Sequence, residues 1–217
     1  MSIKIDEQTL NYTKELFKKL ESEVKLYLFT TKMHCLYCNE VEKLIDIISN
    51  LSNLIKVIKC ECEVDSPEAK KFGIDKHPAI VFHGKEEYNI RYFGIPGGYE
   101  YGVLIEDIVD VSLGKTDLSK EIIEKLSKID KPVHIQVFVT PTCPYCPIAA
   151  RTAHKFAIIN KNIKADVIEA IEFPKLARKY NVFAVPKIII NDTIEFEGAV
   201  PEEFFLNKIL EALEKSE

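Results

Sequence analysis

Apolar and polar positions along the chain fall into a rhythm that comes round twice. Leu10, Phe17 and Leu20 recur at helical spacing over 6–22, and Ile122, Leu126 and Ile129 do so over 118–129. Asp6 and Asp117 stand where N-caps for these helices are expected. Near-continuous apolar runs of strand length follow, 24–31 and 133–140, and each leads directly into a pair of cysteines. A helix is predicted to start on each pair. Val41, Leu44, Ile45 and Ile48 mark its inner face in one case, and Ile148, Thr152, Phe156 and Ile159 in the other. Second strands are predicted over 54–64 and 163–168, then short helices ending near Phe72 and Tyr180. A proline opens a third strand each time, 79–82 and 187–190. Turns at His83-Gly84 and Asn191-Asp192 join these to fourth strands. Closing helices are predicted over 99–112 and 202–215.

The two rounds match residue by residue. Cys35-Leu36-Tyr37-Cys38 and Cys143-Pro144-Tyr145-Cys146 are 108 positions apart. At that offset Ala69-Lys70-Lys71-Phe72-Gly73-Ile74 meets Ala177-Arg178-Lys179-Tyr180-Asn181-Val182, and His77-Pro78 meets Val185-Pro186. Agreement at three places with one offset marks a tandem duplication. The predicted boundary is at Thr116, giving units 1–116 and 117–217. Each is an α/β unit with a four-stranded mixed sheet flanked by helices.

Composition narrows the chemistry. The 217 residues are 47% hydrophobic and 29% charged, with a formal net charge of -5. Acids are interspersed with lysines, and no basic patch of the kind nucleic acid requires is present. The first residues lack an apolar signal region and no later run reaches membrane-spanning length, so a cytoplasmic, membrane-free protein is expected. In that reducing setting paired cysteines are catalytic or metal-binding rather than a scaffold. Glutamine at positions 8 and 136 only, no tryptophan, and abundant lysine and isoleucine lean towards a heat-adapted protein.

The order βαβ, then a β-hairpin and a helix, with cysteines at the first strand-to-helix turn, resembles the thioredoxin fold. The doubled arrangement resembles the two-unit, glutaredoxin-like protein disulfide oxidoreductases of thermophilic archaea and bacteria. A similar double unit opens the alkyl hydroperoxide reductase flavoprotein, a relative that keeps a single cysteine pair. The resemblance implies redox-active disulfides at Cys35–Cys38 and Cys143–Cys146. It also implies cis prolines at Pro78 and Pro186, beside the cysteines, where they and the preceding His77 and Val185 would hold a peptide substrate. Protein disulfides are the implied substrates and a thioredoxin-reductase-like flavoprotein the implied electron donor. No bound cofactor or metal is needed, since the cysteines carry the electrons.

Thiol–disulfide exchange needs a thiolate to attack and a nearby thiol to release the trapped partner. A cysteine at a helix N-terminus has its thiolate favoured by the free N–H groups and the dipole. Cys35 and Cys143 are therefore the expected nucleophiles, and Cys38 and Cys146 the resolving thiols. Pro144 is expected at the first helical position. His34 and His77 have Thr142 and Val185 as counterparts. Protonated or donating a hydrogen bond, these histidines would stabilise the Cys35 thiolate and make the first pair the more oxidising.

Some residues depart from the relatives. Neither first strand contains the buried acid of thioredoxins, which leaves the proton acceptor to water or a distant group. The Cys-Pro-Tyr-Cys sequence is a glutaredoxin motif, but 198–203 lacks the glutaredoxin Gly-Gly plus acidic pair, which argues against dependence on glutathione. Cys60 and Cys62 have no counterparts; alternating with Lys59, Glu61 and Glu63, they read as small apolar residues on one strand face. The rival readings are a zinc module using Cys35, Cys38, Cys60 and Cys62, and a dedicated dithiol carrier for one peroxidase or reductase.

Overall fold

The β-branched and aromatic runs form strands whose alternate side chains enter two different cores. In the computed structural model, which describes residues 4–33 and 35–215, the first unit contributes α1 (Glu7–Phe17), β1 (Val24–Thr30), α2 (Cys38–Ser49), β2 (Ile55–Glu61), α3 (Pro67–Lys71), β3 (Ala79–His83), β4 (Glu87–Phe93) and α4 (Glu100–Leu113). The second contributes α5 (Lys120–Leu126), β5 (Val133–Val139), α6 (Cys146–Ile159), β6 (Ile163–Glu169), α7 (Pro174–Lys179), β7 (Lys187–Ile190), β8 (Ile194–Glu197) and α8 (Glu202–Glu214). Leu26, Leu28, Ile90, Tyr92, Ile135 and Val137 are buried in a large core shared with α2, α4 and α6. Phe29, Phe93, Phe138 and Ile168 point the other way, into a smaller core that includes Phe72 and Tyr180 beside α3 and α7.

The two expected four-stranded sheets are fused. One eight-stranded sheet runs β2-β1-β3-β4-β6-β5-β7-β8. The join is a parallel pairing of β4 with β6 from Ile90↔Ala165 to Phe93↔Ile168. An unpaired edge strand leaves a row of N–H and C=O groups open; here the edge of one unit meets that of the other. Within each unit the first and second strands are parallel, and the third is antiparallel to the first. Successive pairings therefore leave β1, β4, β5 and β6 pointing the same way.

Element ends shift from the sequence expectations for local reasons. Asp6 caps α1 as expected, its carboxylate accepting from the Thr9 N–H at 2.8 Å, but the helix ends at Phe17. The second unit's first helix is capped by Ser119, which accepts from the Ile122 N–H; Asp117 pairs with Lys155 instead. The second strand of the first unit stops at Glu61, although the Cys62 N–H still donates to the Thr30 carbonyl at 3.0 Å. Asn191 and Asp192, with φ of 50° and 54°, make the β7–β8 turn; two left-handed residues match the twist of a tight hairpin. Gly114 closes α4 in the left-handed conformation, and the chain then passes to Ser119.

The helix after the second cysteine pair also differs. Ala149, Ala150, Ala153, Phe156 and Ala157 form its buried face, while Ile148 is exposed. Alanines allow α6 to lie close to the sheet and α4 at once, so more of its circumference is covered than a two-sided pattern predicts.

Candidate active site

Each first strand delivers its cysteines to the same end of the shared sheet, because β1 and β5 run in one direction. Both pairs are disulfides: Cys35–Cys38 with Cα atoms 5.5 Å apart, and Cys143–Cys146 at 5.4 Å. Cys35 is half-buried and the other three are buried. The helices begin at the second cysteine of each pair, not on the first. Pro144 consequently precedes α6, and Pro147 takes the early helical place expected for it. Cys143 stands just ahead of the helix and its Sγ accepts the Cys146 N–H at 3.1 Å. That sulfur acts as a cap for an otherwise free donor, an arrangement that strengthens when the sulfur becomes a thiolate.

The His77–Pro78 and Val185–Pro186 bonds are both cis, and both prolines are buried. The Val185 carbonyl oxygen lies 3.6 Å from the Cys143 Sγ. His77 is half-buried; burial pushes its imidazole below the ordinary histidine range, against an upward pull from Glu63. Its Nε2 is buried without a hydrogen-bond partner among the described residues. His34 lies outside the described residues. Cys60 and Cys62 are half-buried free thiols packed with the Phe72 core, and burial raises the Cys60 thiol. Among the described residues no group of three or more His, Cys, Asp or Glu is arranged to hold a metal ion, so the four-thiolate site is not assembled.

The sequence reading missed a set of buried acids at this end of the sheet. Glu100, in the first turn of α4, has no exposed surface, and neither carboxylate oxygen has a hydrogen-bond partner among the described residues. Burial, with Asp107 and Glu169 adding repulsion, pushes its pKa up to about 8. Glu172 is raised to about 7 by burial, even though it accepts the Ile95 N–H at 2.6 Å. Glu169 is raised by burial as well, and the Tyr92 hydroxyl nearby is buried and unpartnered among the described residues.

Two contacts carry this cluster to the second cysteine pair. The Tyr99 N–H donates to the Pro141 carbonyl at 3.0 Å. Gly98, at φ 58°, leaves no room for a Cβ against that same carbonyl. Helices α4 and α6 follow β4 and β5, which point the same way, and they lie side by side, with Arg151 meeting Glu106, Asp107 and Asp110, and His154 meeting Asp107. One face of α4 therefore carries Glu100 and Asp107, seven residues apart, and the facing stripe of α6 carries Cys146 and His154. Glu100 is the first residue of α4 and Cys146 the first of α6. The signal in the sequence was two acids, Glu100 and Asp107, on the apolar stripe of Val103, Leu104 and Val111.

Comparison with known proteins identifies this arrangement. A protein disulfide oxidoreductase from Aeropyrum pernix is 30% identical, with 98% of this chain and 95% of that one superposed at a TM-score of 0.90. The chain belongs to that family. It is a thiol–disulfide oxidoreductase with two Cys-x-x-Cys pairs on tandem thioredoxin-like units. The Thioredoxin domain family matches residues 133–211. The F component of alkyl hydroperoxide reductase from Enterococcus faecalis shares the fold, with a TM-score of 0.88 over 94% of this chain and 99% of that one, at 21% identity. The F component from Pseudomonas putida is 24% identical over 172 residues, 78% of this chain. The chain spans 31% of that relative's length. No helix among the described residues is long and apolar enough to cross a membrane.

Proposed function

We propose that the chain is a general protein-disulfide oxidoreductase, reducing, forming and isomerising disulfides in polypeptide substrates, with residues 1–116 and 117–217 each supplying one reactive pair. The observation that carries this reading is that two disulfide-forming pairs open at the same end of one continuous sheet. In the reducing direction the Cys143 thiolate attacks one sulfur of a substrate disulfide, and the other sulfur leaves as a thiolate. Cys146 then loses its proton and attacks the Cys143 sulfur, releasing the second substrate thiol and closing the Cys143–Cys146 disulfide. Two electrons pass to the substrate, and a flavoprotein reductase of the thioredoxin-reductase kind restores the dithiol. Cys35 and Cys38 take the same roles in the first unit. His77, Pro78, Val185 and Pro186 line the approach, where backbone groups pair with an extended substrate.

Glu100 is the proton acceptor for Cys146. A carboxyl titrating at about 8 is matched to a thiol of ordinary pKa near 8.5. The first unit thus supplies an acid to the second unit's site. Reduced protein should act on most of a panel of unrelated disulfide-bonded proteins. Turnover of a single peroxidase, with the rest of the panel untouched, would replace this reading by that of a dedicated carrier. The likeness to the F component of alkyl hydroperoxide reductase favours that second reading.

A further inference from the structure

The duplication allows the two sites to be compared position by position, and they differ beside the cysteines. Structural equivalence is secured by shared hydrogen bonds. The Ile74 and Val182 N–H groups donate to the Ala69 and Ala177 carbonyls, and Cys62 and Ala170 donate to Thr30 and Val139. Gly73 and Asn181 share a left-handed backbone.

In the second unit a groove of about 690 Å³ runs from Thr140 past Ile171, Arg178, Phe183 and Ala184 to Val185. Phe183 is 91% exposed and Ile171 68%. The groove is continuous with the reactive sulfur, because Val185 lines it and places its carbonyl 3.6 Å from the Cys143 Sγ. In the first unit the equivalents of Ile171, Phe183, Ala184 and Val185 are Glu63, Asp75, Lys76 and His77. There Lys76 pairs with Asp75 and lies 3.8 Å above the Phe93 ring, while Glu63 accepts from the Thr31 hydroxyl at 2.6 Å. Among the exposed apolar residues of the first unit, Met33 and Leu36 belong to its motif loop, and Val64, next to Glu63, is less exposed than Ile171 or Phe183.

We infer that the two sites divide their substrates: the groove beside Cys143 receives an apolar side chain of an extended, unfolded polypeptide, and the charged surface beside Cys35 does not. This rests on the function proposed above. A segment joined to Cys143 through its cysteine has neighbouring residues close to Val185, and an apolar neighbour leaves water by entering the groove. Apolar surface displayed around a site marks a binding surface. At the first site the same neighbour would have to displace a paired lysine and a hydrogen-bonded glutamate.

The test uses full-length protein carrying one reactive pair, either Cys35→Ser/Cys38→Ser or Cys143→Ser/Cys146→Ser. Each is offered two peptides bearing one cysteine as a mixed disulfide with the same small thiol, flanked by leucines in one peptide and serines in the other. The Cys143–Cys146 pair should favour the leucine peptide in kcat/KM by about tenfold, equivalent to about 1.4 kcal/mol, and the Cys35–Cys38 pair by less than about twofold. Ile171→Glu with Phe183→Asp should abolish the preference. Glu63→Ile with Asp75→Phe should create one at the first site, a gain that misfolding cannot mimic. Equal preferences at the two sites, or a preference surviving Ile171→Glu/Phe183→Asp, would overturn the inference while leaving the oxidoreductase reading intact. A preference that fades as protein concentration rises would place a second copy of the chain in the groove, and would also overturn it. Small-disulfide turnover with neither peptide reduced would remove the proposed function itself.

Discussion

Arg91 and Asp166 are register partners on the two strands that join the units, and they meet through two parallel hydrogen bonds, Nε to Oδ1 and Nη2 to Oδ2, each 2.6 Å. Both are buried. His134 approaches the same carboxylate at 2.7 Å, and Arg91 also donates to the Phe72 and Gly73 carbonyls. On the other face of the sheet Asp107, without exposed surface, pairs with Arg151 and His154 across α4 and α6. Ionic contacts therefore bind the two units from both sides of one sheet.

Removing one partner of such a buried pair strands the other, at a cost of about 3–5 kcal/mol. Asp166→Asn should lower the free energy of unfolding by that order, with the whole chain still unfolding in one transition. Two separated transitions in a denaturant titration would show that the units fold independently. Burial opposes ionisation of Asp166, but His134 and Arg91 outweigh it and hold its carboxyl well below the usual range. A depressed carboxyl contributes stability above its unfolded pKa of about 3.9 that is lost as pH falls through the folded value. That part of the acid sensitivity should be missing in Asp166→Asn.

Glu100 has the opposite sign. With a pKa near 8 in the folded protein and about 4.3 unfolded, it binds a proton in the native state that the unfolded chain has released. Stability should fall between about pH 4.5 and 8, by up to about 1.4 kcal/mol per pH unit from this group alone. Glu100→Gln should flatten that slope and leave the protein more stable at pH 8. It should also slow release of substrate from mixed disulfides at Cys143 and remove the pH dependence of that step near 8. A variant that gains stability but keeps the wild-type pH–rate profile would make Glu100 structural only.

Cys143 accepts the helix N–H and lies against the Val185 carbonyl, whereas Cys146 has no exposed surface. In Cys146→Ser protein, covalent substrate adducts should accumulate on non-reducing gels. In Cys143→Ser they should not. Equal trapping by the two variants would remove the assignment of nucleophile and resolving thiol.

The expectation of a more oxidising first pair rested on histidines that are protonated or donate a hydrogen bond to the Cys35 thiolate. Burial lowers His77, which works against a charge-based contribution to a Cys35 thiolate. Redox titration of His77→Val, with the second pair replaced by serine, should therefore give a Cys35–Cys38 potential within about 30 mV of the parent, the interval equivalent to about 1.4 kcal/mol. A drop larger than that would restore the histidine as a determinant.

What could be read in the sequence was whatever repeats or is local. The 108-residue offset placed both cysteine pairs and both prolines, and the apolar runs placed the strands, because strand burial and cap chemistry are written in nearest neighbours and short periods. Asp6 was found as a cap on that basis, and Asp117 was mistaken for one because Ser119, two residues on, also suits the role. The fusion of the units was not legible: pairing β4 with β6 depends on an edge left free only after both sheets have formed. Glu100 was missed for the same reason. Glu169, one of the acids that raise it, is in the other unit, and a carboxyl is pushed up to about 8 only when packing has taken it out of water. Ile148 was placed on the inner face of its helix, and it was the tertiary structure, burying the alanines of α6 against the sheet and α4, that left it exposed.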